Sequence, residues 1–235
     1  MELRLDSRAT QEAIDQAQQL LEGRRLLVVF GDRLTLCSFA LTAPVQPSLV
    51  GAATTEDEGF ELLLRTTPDL LICSADLETG YGVNLLRRAK ATLPTCQLLI
   101  VLVRETKAAV QEAMEAFADG VIFKSSLSTG GGDFMQALQT IAQGGVYYPN
   151  EIRRLGFQTP RSDLPALVEE LSEREVEVVE AVARGLTNKS VADALGISVE
   201  TVKTHVMNAM GKIGARDRTQ LAVMAMAYGL IDPMA

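Results

Sequence analysis

Between Ser198 and Lys212 the sequence SVETVKTHVMNAMGK brings Thr201, Lys203, Thr204, His205 and Asn208 close together. Lysine and asparagine are among the side chains that read base edges in the DNA major groove, while threonine, lysine and helix-start N–H groups hold phosphates. On a helical wheel Val202, Val206, Ala209, Met210 and Ile213 fill one arc. Thr204, Met207, Asn208 and Gly211 point the other way, with Thr201, Lys203 and Lys212 on the flanks. The chemistry this pattern supports is recognition, not bond-making. Local charge agrees weakly: from Thr187 to Arg218 there are five Lys/Arg (Lys189, Lys203, Lys212, Arg216, Arg218) against three acids (Asp193, Glu200, Asp217).

The elements that must position these residues are marked by their caps. Ser172 followed by Glu175 is a capping box that opens a helix with Val176, Val179 and Ala183 facing inward until Gly185. Thr187 opens a second helix that stops at Gly196, and Ser198 opens a third. Asp217 with Gln220 forms another capping box before a fourth helix, with Leu221, Met224, Ala225 and Tyr228, that ends at Gly229. The second and third helices, joined by a short GIS turn, have helix-turn-helix spacing. By spacing alone a four-helix interaction module stays open as an alternative.

Upstream the pattern differs. Short aliphatic runs, LLVVF (26–30), SLVGAA (48–53), DLLIC (69–73), QLLIVLV (97–103) and GVIF (120–123), alternate with helical segments near 35–41, 56–65, 82–92, 105–118 and 132–143. This alternation predicts a doubly wound α/β domain with a five-stranded parallel sheet, followed by a small all-α domain. The expected organisation is an extra amino-terminal helix within 1–23, the α/β domain over 24–147, a proline-containing linker over 148–166, and the helix-turn-helix domain over 167–235.

Composition narrows the classes. Hydrophobic residues at 47% and charged residues at 22% are ordinary for a globular protein. No apolar run approaches the roughly 20 residues that span a bilayer, and the polar amino end has no secretory block, so the expected location is cytoplasmic, away from membranes. A net charge of −8 argues against bulk electrostatic gripping of nucleic acid but not against a local basic face. Cys37, Cys73 and Cys96 are widely spaced and the chain has one histidine, which speaks against a zinc site or disulfide framework. Each cysteine lies among aliphatic residues and reads as a small buried hydrophobe. No metal or cofactor is expected, and no nucleophile–base pair or phosphate-cradling loop marks an enzyme.

LSEREVEVVEAVARGLTNKSVADALGISVETVKTHVMNAMGKIGARDRTQLA resembles the LuxR-type helix-turn-helix domain of NarL/FixJ-class transcription regulators, through its LS-x-RE opening, GLTNK turn and S-x-x-TVK-x-H segment. The resemblance implies a recognition helix from Ser198 that sets Val202, Lys203, Thr204, His205 and Asn208 at the DNA. Thr187, Asn188, Lys189, Thr201 and Lys212 would serve as backbone contacts. The last helix would dimerise through Arg218, Leu221, Met224, Ala225 and Tyr228. His205 also fits a packed residue at the helix edge. The sequence departs from the family at Ala209, where a large aliphatic is usual, and at Gly211, which costs about 1 kcal/mol relative to alanine inside a helix.

The amino-terminal half is similar to receiver domains of response regulators, on LLVVF-GDR, PDLLIC and DGVIFK. Such domains phosphorylate an aspartate at the end of the third strand, beside a magnesium held by an acidic pair. Here the pair is Gly31-Asp32, the acceptor position holds Ser74, the hydroxyl position falls on or near Leu102, and the aromatic position is Val121. Asp32 and Lys124 survive, and an ion pair between them at the old pocket is expected. The reading is a pseudo-receiver on a dimeric, sequence-specific regulator of double-stranded DNA. Its alternatives are a phosphorylated regulator using Asp76, or an adaptor for RNA polymerase or a regulatory protein.

Overall fold

The computed structural model describes residues 8–128, 133–156, 167 and 169–232. In chain order its elements are α1 (Arg8–Leu21), β1 (Leu26–Val29), α2 (Arg33–Ala40), β2 (Leu49–Ala53), α3 (Glu56–Thr66), β3 (Leu70–Ser74), α4 (Gly82–Thr92) and β4 (Gln97–Leu102). There follow α5 (Lys107–Glu115), β5 (Gly120–Phe123), α6 (Asp133–Ala142), α7 (Asn150–Gly156), α8 (Glu173–Ala183), α9 (Asn188–Leu195), α10 (Val199–Ile213) and α11 (Arg218–Ala227). The described residues fall into two compact units, one within Met1–Glu105 and Gly120–Gln139, the other within Thr106–Asp119 and Thr140–Ala235.

The first unit is built on a parallel five-stranded sheet of order β2-β1-β3-β4-β5. Strands β1, β3 and β5 are buried at every residue and β4 at all but Gln97, which is why their sequences are continuous aliphatic runs instead of alternating ones. β2 is an edge strand and stays partly exposed. The order reverses between β1 and β3, so the crevice at their carboxyl ends is where an open α/β sheet admits a ligand. Asp32 caps α2 and Thr55 caps α3, each side chain accepting from the backbone N–H three residues on. Of α1, Ala17 and Leu21 are buried, and the Ser48 hydroxyl donates to the Leu21 carbonyl at 2.7 Å, so the carboxyl end of the extra helix packs on its own unit.

In the second unit α8, α9, α10 and α11 pack around Val178, Val179, Val182, Val191, Val202, Val206, Ala209 and Leu221. Ser172 and Glu175 form the reciprocal capping box expected for α8. The box expected at Asp217 is only half made: Asp217 accepts from the Gln220 N–H, but the Gln220 side chain turns back to the Arg216 N–H at 3.0 Å. The expected linker is also more structured than its prolines suggest, because α7 lies inside it and packs on α5, with Gln111 Nε2 donating to the Gly156 carbonyl at 3.1 Å. The rest of that stretch, 157–166, lies outside the described residues. Cys37 is exposed, against the burial expected of all three cysteines, whereas Cys73 and Cys96 are buried. No described helix is long and apolar enough to cross a membrane.

Candidate nucleic-acid interface and the sheet-end pocket

α10 is held by one face and presents the other. Val202, Val206, Ala209 and Ile213 are buried, while Thr201, Lys203, Thr204, Met207, Asn208 and Gly211 are exposed, and His205 is half-buried at the edge. Val202 is fully buried, which corrects its place among the DNA contacts: its side chain anchors the helix from behind. The Ser198 hydroxyl caps the Thr201 N–H at 3.0 Å, aligning the first turn and its remaining N–H groups outward. Lys203 Nζ lies 2.7 Å from Glu200 Oε1 and the Thr204 hydroxyl donates to the Glu200 carbonyl at 3.0 Å, so both local partners sit on the exposed face.

Met207 was not among the expected contact residues, although its wheel position was plain. Its side chain is 67% exposed in the middle of the polar stripe. An apolar group there matches the thymine methyl that lines the major groove.

Two expected backbone contacts have intramolecular work. Lys212 Nζ lies 3.0 Å from Glu175 Oε2 and 3.3 Å from Glu169 Oε1, and donates to the Glu170 carbonyl at 3.2 Å, so it ties the end of α10 to the start of α8. Burial pushes the Glu175 carboxyl up, but the Ser172 backbone and hydroxyl and the Lys212 ammonium outweigh it and the net shift is downward. Asn188 accepts from Arg218 Nη1 at 2.8 Å, and Arg218 Nη2 donates to the Leu186 carbonyl. Burial pulls the Arg218 guanidinium down to about 10, which leaves it a cation at neutral pH. Thr187 caps α9 through the Ser190 N–H, and Lys189 is exposed beside it.

The expected dimer residues of α11 divide similarly. Leu221 and Ala225 are fully buried, because α11 packs on α8 and α10, and Arg218 is turned inward toward Leu186 and Asn188. The assignment of Leu221 and Ala225 as dimer contacts is therefore corrected, while Arg218 keeps partial exposure. Met224 and Tyr228, one turn apart and half-buried, are left with surface to offer.

The receiver-like residues meet at the carboxyl ends of β1, β3 and β4. Asp32, Ser74, Asp76 and Lys124 line one cavity of about 380 Å³ together with Phe30, Gly31, Thr35, Leu77, Val101 and Val103. Strand alternation puts Val101 and Val103 into it and turns Leu102 away, fully buried, so the expected hydroxyl position lies one residue to either side. Asp32 Oδ1 accepts from the Thr35 N–H at 2.7 Å and from its hydroxyl at 2.5 Å, and those two bonds lower its pKa more than Lys124 does through space. The expected Asp32–Lys124 ion pair is not formed among the described residues. Asp76 pairs with Arg104 at 3.0 Å, and the Ser74 hydroxyl donates to the Asp76 carbonyl at 2.8 Å. Cys73, just behind Ser74, is fully buried, and burial and then the Glu56 charge push its thiol up, away from the reactive thiolate.

Residues 169–225 match the family of bacterial regulatory proteins, luxR family. The nitrate/nitrite response regulator protein homolog of Haemophilus influenzae is 30% identical over 167 residues, which span 71% of this chain and 78% of that protein. The chain belongs to the luxR-type response regulators. Other relatives of this luxR-type regulator include the transcriptional regulatory protein LnrK of Bacillus subtilis, 29% identical over 77% of this chain and 86% of its own length. The response regulator VraR of Staphylococcus aureus is 29% identical over 78% of this chain and 86% of its own length. Among solved structures, RcsB from Salmonella enterica serovar Typhimurium bound to promoter rprA superposes with a TM-score of 0.50 at 19% identity, covering 87% of this chain and 99% of RcsB, a likeness of fold alone.

Proposed function

We propose that this luxR-type regulator is a dimeric, sequence-specific reader of double-stranded DNA in the cytoplasm, and that its receiver-like unit works without phosphorylation. The observation that carries the DNA reading is the divided surface of α10, clamped by Val202, Val206, Ala209 and Ile213 and open at Thr201, Lys203, Thr204, Met207 and Asn208. Lys203 and Asn208 are its base-reading or phosphate-holding donors and Met207 its apolar contact. Thr187 and Lys189, at the start of α9, supply phosphate contacts from the neighbouring helix. Met224 and Tyr228 form the dimer stripe, which sets two recognition helices about one DNA turn apart on a near-palindromic site.

The pocket supports the second half of the proposal. A receiver needs two adjacent acids for magnesium and an aspartate acceptor, and the residues present do not fit that ion. Position 31 carries no carboxylate, and a Cβ there would lie 2.6 Å from the Asp76 carbonyl oxygen. Asp32 is engaged by Thr35 and Asp76 by Arg104, while Ser74 is a hydroxyl whose proton is already donated. The alternative acceptor Asp76 sits in the β3–α4 turn, beyond the strand end. Incubation of the purified protein with acetyl phosphate and magnesium, read by intact mass, is expected to add no phosphate. A phosphate mass abolished by Asp76→Asn would establish the phosphorylated alternative instead.

A further inference from the structure

We propose that the cavity at the carboxyl ends of β1, β3 and β4 is a binding site for a small apolar anion, its body against Phe30, Leu77, Val101 and Val103 and its charge on Lys124. This deepens the unphosphorylated reading of the same site and rests on it.

Three features of the cavity carry the inference. Its volume of about 380 Å³ lies in the range of small-ligand pockets, and it occupies the switch point of the sheet. Its walls are largely apolar where a receiver carries reactive groups: Val101 is paired in register with Ser74 across β3 and β4, and Val103 is 48% exposed at the mouth. An apolar side chain left that open at a cavity rim is a surface that gains by being covered.

The polar side chains of the same cavity are almost all committed within the protein. Thr35 donates to Asp32, Ser74 donates to the Asp76 carbonyl, and the Asp76 carboxylate is paired with Arg104. Lys124 differs. It lines the cavity and is exposed, and it makes no hydrogen bond or ion pair among the described residues. A largely apolar chamber whose lining cation makes no hydrogen bond or ion pair among the described residues, and acts on Asp32 only through space, selects a molecule with an apolar body and a single negative head, such as an aliphatic or aromatic carboxylate. Asp32 at the same rim sharpens the choice of geometry, since the head must sit on the Lys124 side to avoid it.

The test uses the full-length protein and three ten-carbon probes, decanoate, decanol and decylamine, titrated by isothermal calorimetry. Decanoate is expected to saturate one site per chain and to bind at least tenfold more tightly than decylamine. Lys124→Met is expected to lower decanoate affinity about tenfold, the worth of one charge-assisted contact, and to leave decanol unchanged. Val101→Phe, which fills the chamber, is expected to abolish both. Lys124 is exposed, so its variant keeps the test valid even where Val101→Phe fails to fold. No saturable decanoate binding, a preference for decylamine, or decanoate binding indifferent to Lys124→Met each overturns the proposal. An acetyl phosphate mass measurement on the same preparation separates the two claims. A phosphate gain overturns the unphosphorylated reading, whereas no gain together with no decanoate binding overturns the ligand site alone.

Discussion

At position 31 the backbone of the β3–α4 turn occupies the space that a side chain would need. A Cβ there would meet the Asp76 carbonyl oxygen and the Leu77 Cα at 2.6 Å. Contacts that short force the backbone to move, so a carboxylate at position 31 cannot be accommodated by one substitution without shifting that turn. Gly31→Asp is expected to destabilise the protein by about 1–3 kcal/mol, as overpacking does, and Gly31→Asp with Ser74→Asp is expected to remain unphosphorylated; chemical denaturation and intact mass check the two parts. That position 74 carries a serine was legible in the sequence. The steric closure at 31 was not, because it depends on where a turn more than forty residues away comes to rest. The sequence places the hydroxyl position only on or near Leu102 for a related reason: a strand shows its two faces only once its register with β3 is known.

Among the elements, the joint between α8 and α10 ties down the helix proposed to read DNA. Lys212 closes the Ser172–Glu175 capping box from the far end of α10, so the cap, the ion pair and the helix angle depend on one another. Lys212→Met leaves the buried Glu175 carboxylate short of a partner and is expected to cost about 1–3 kcal/mol in thermal or denaturant unfolding. Because the folded pKa of Glu175 is lowered, its contribution is fully present above the ordinary value of 4.5 and is lost as pH falls from there through the depressed value. Glu175→Gln should therefore flatten the acid limb of the stability profile below that pH. Gly211 is the opposite case. A Cβ there meets nothing within 4 Å, so Gly211→Ala is expected to raise stability by about 1 kcal/mol and the unfolding temperature with it. Caps such as Ser172, Thr187 and Ser198 made these helices readable in the sequence, since each is a local signal. The intramolecular bonds of Lys212, Asn188 and Arg218 were not legible, because a solvated polar side chain and one bonded to a residue distant in the chain look alike in one dimension.

For the whole molecule, the fold class and the family were legible, because continuous aliphatic strands and a 57-residue match in 169–225 are strong signals. What was not legible is how much of α11 is core. With Leu221 and Ala225 buried, Met224 and Tyr228 are the apolar residues of the expected dimer set that offer surface, and Met224→Glu is expected to shift sedimentation toward monomer while leaving the far-UV helical signal intact. A monomer also loses the second half-site, so operator binding should weaken with it.

The most direct test of the account is a salt titration of DNA binding by protein never exposed to a phosphodonor. A duplex selected from genomic fragments, and a shuffled duplex of equal length, are followed by fluorescence anisotropy with the unaltered protein and with Lys203→Ala. The account predicts selective binding of the chosen duplex, unchanged by acetyl phosphate, and a Lys203→Ala variant that binds more weakly with its log K against log salt slope reduced by about 1. Equal binding to both duplexes, or selectivity that arises only after phosphodonor treatment, would contradict it.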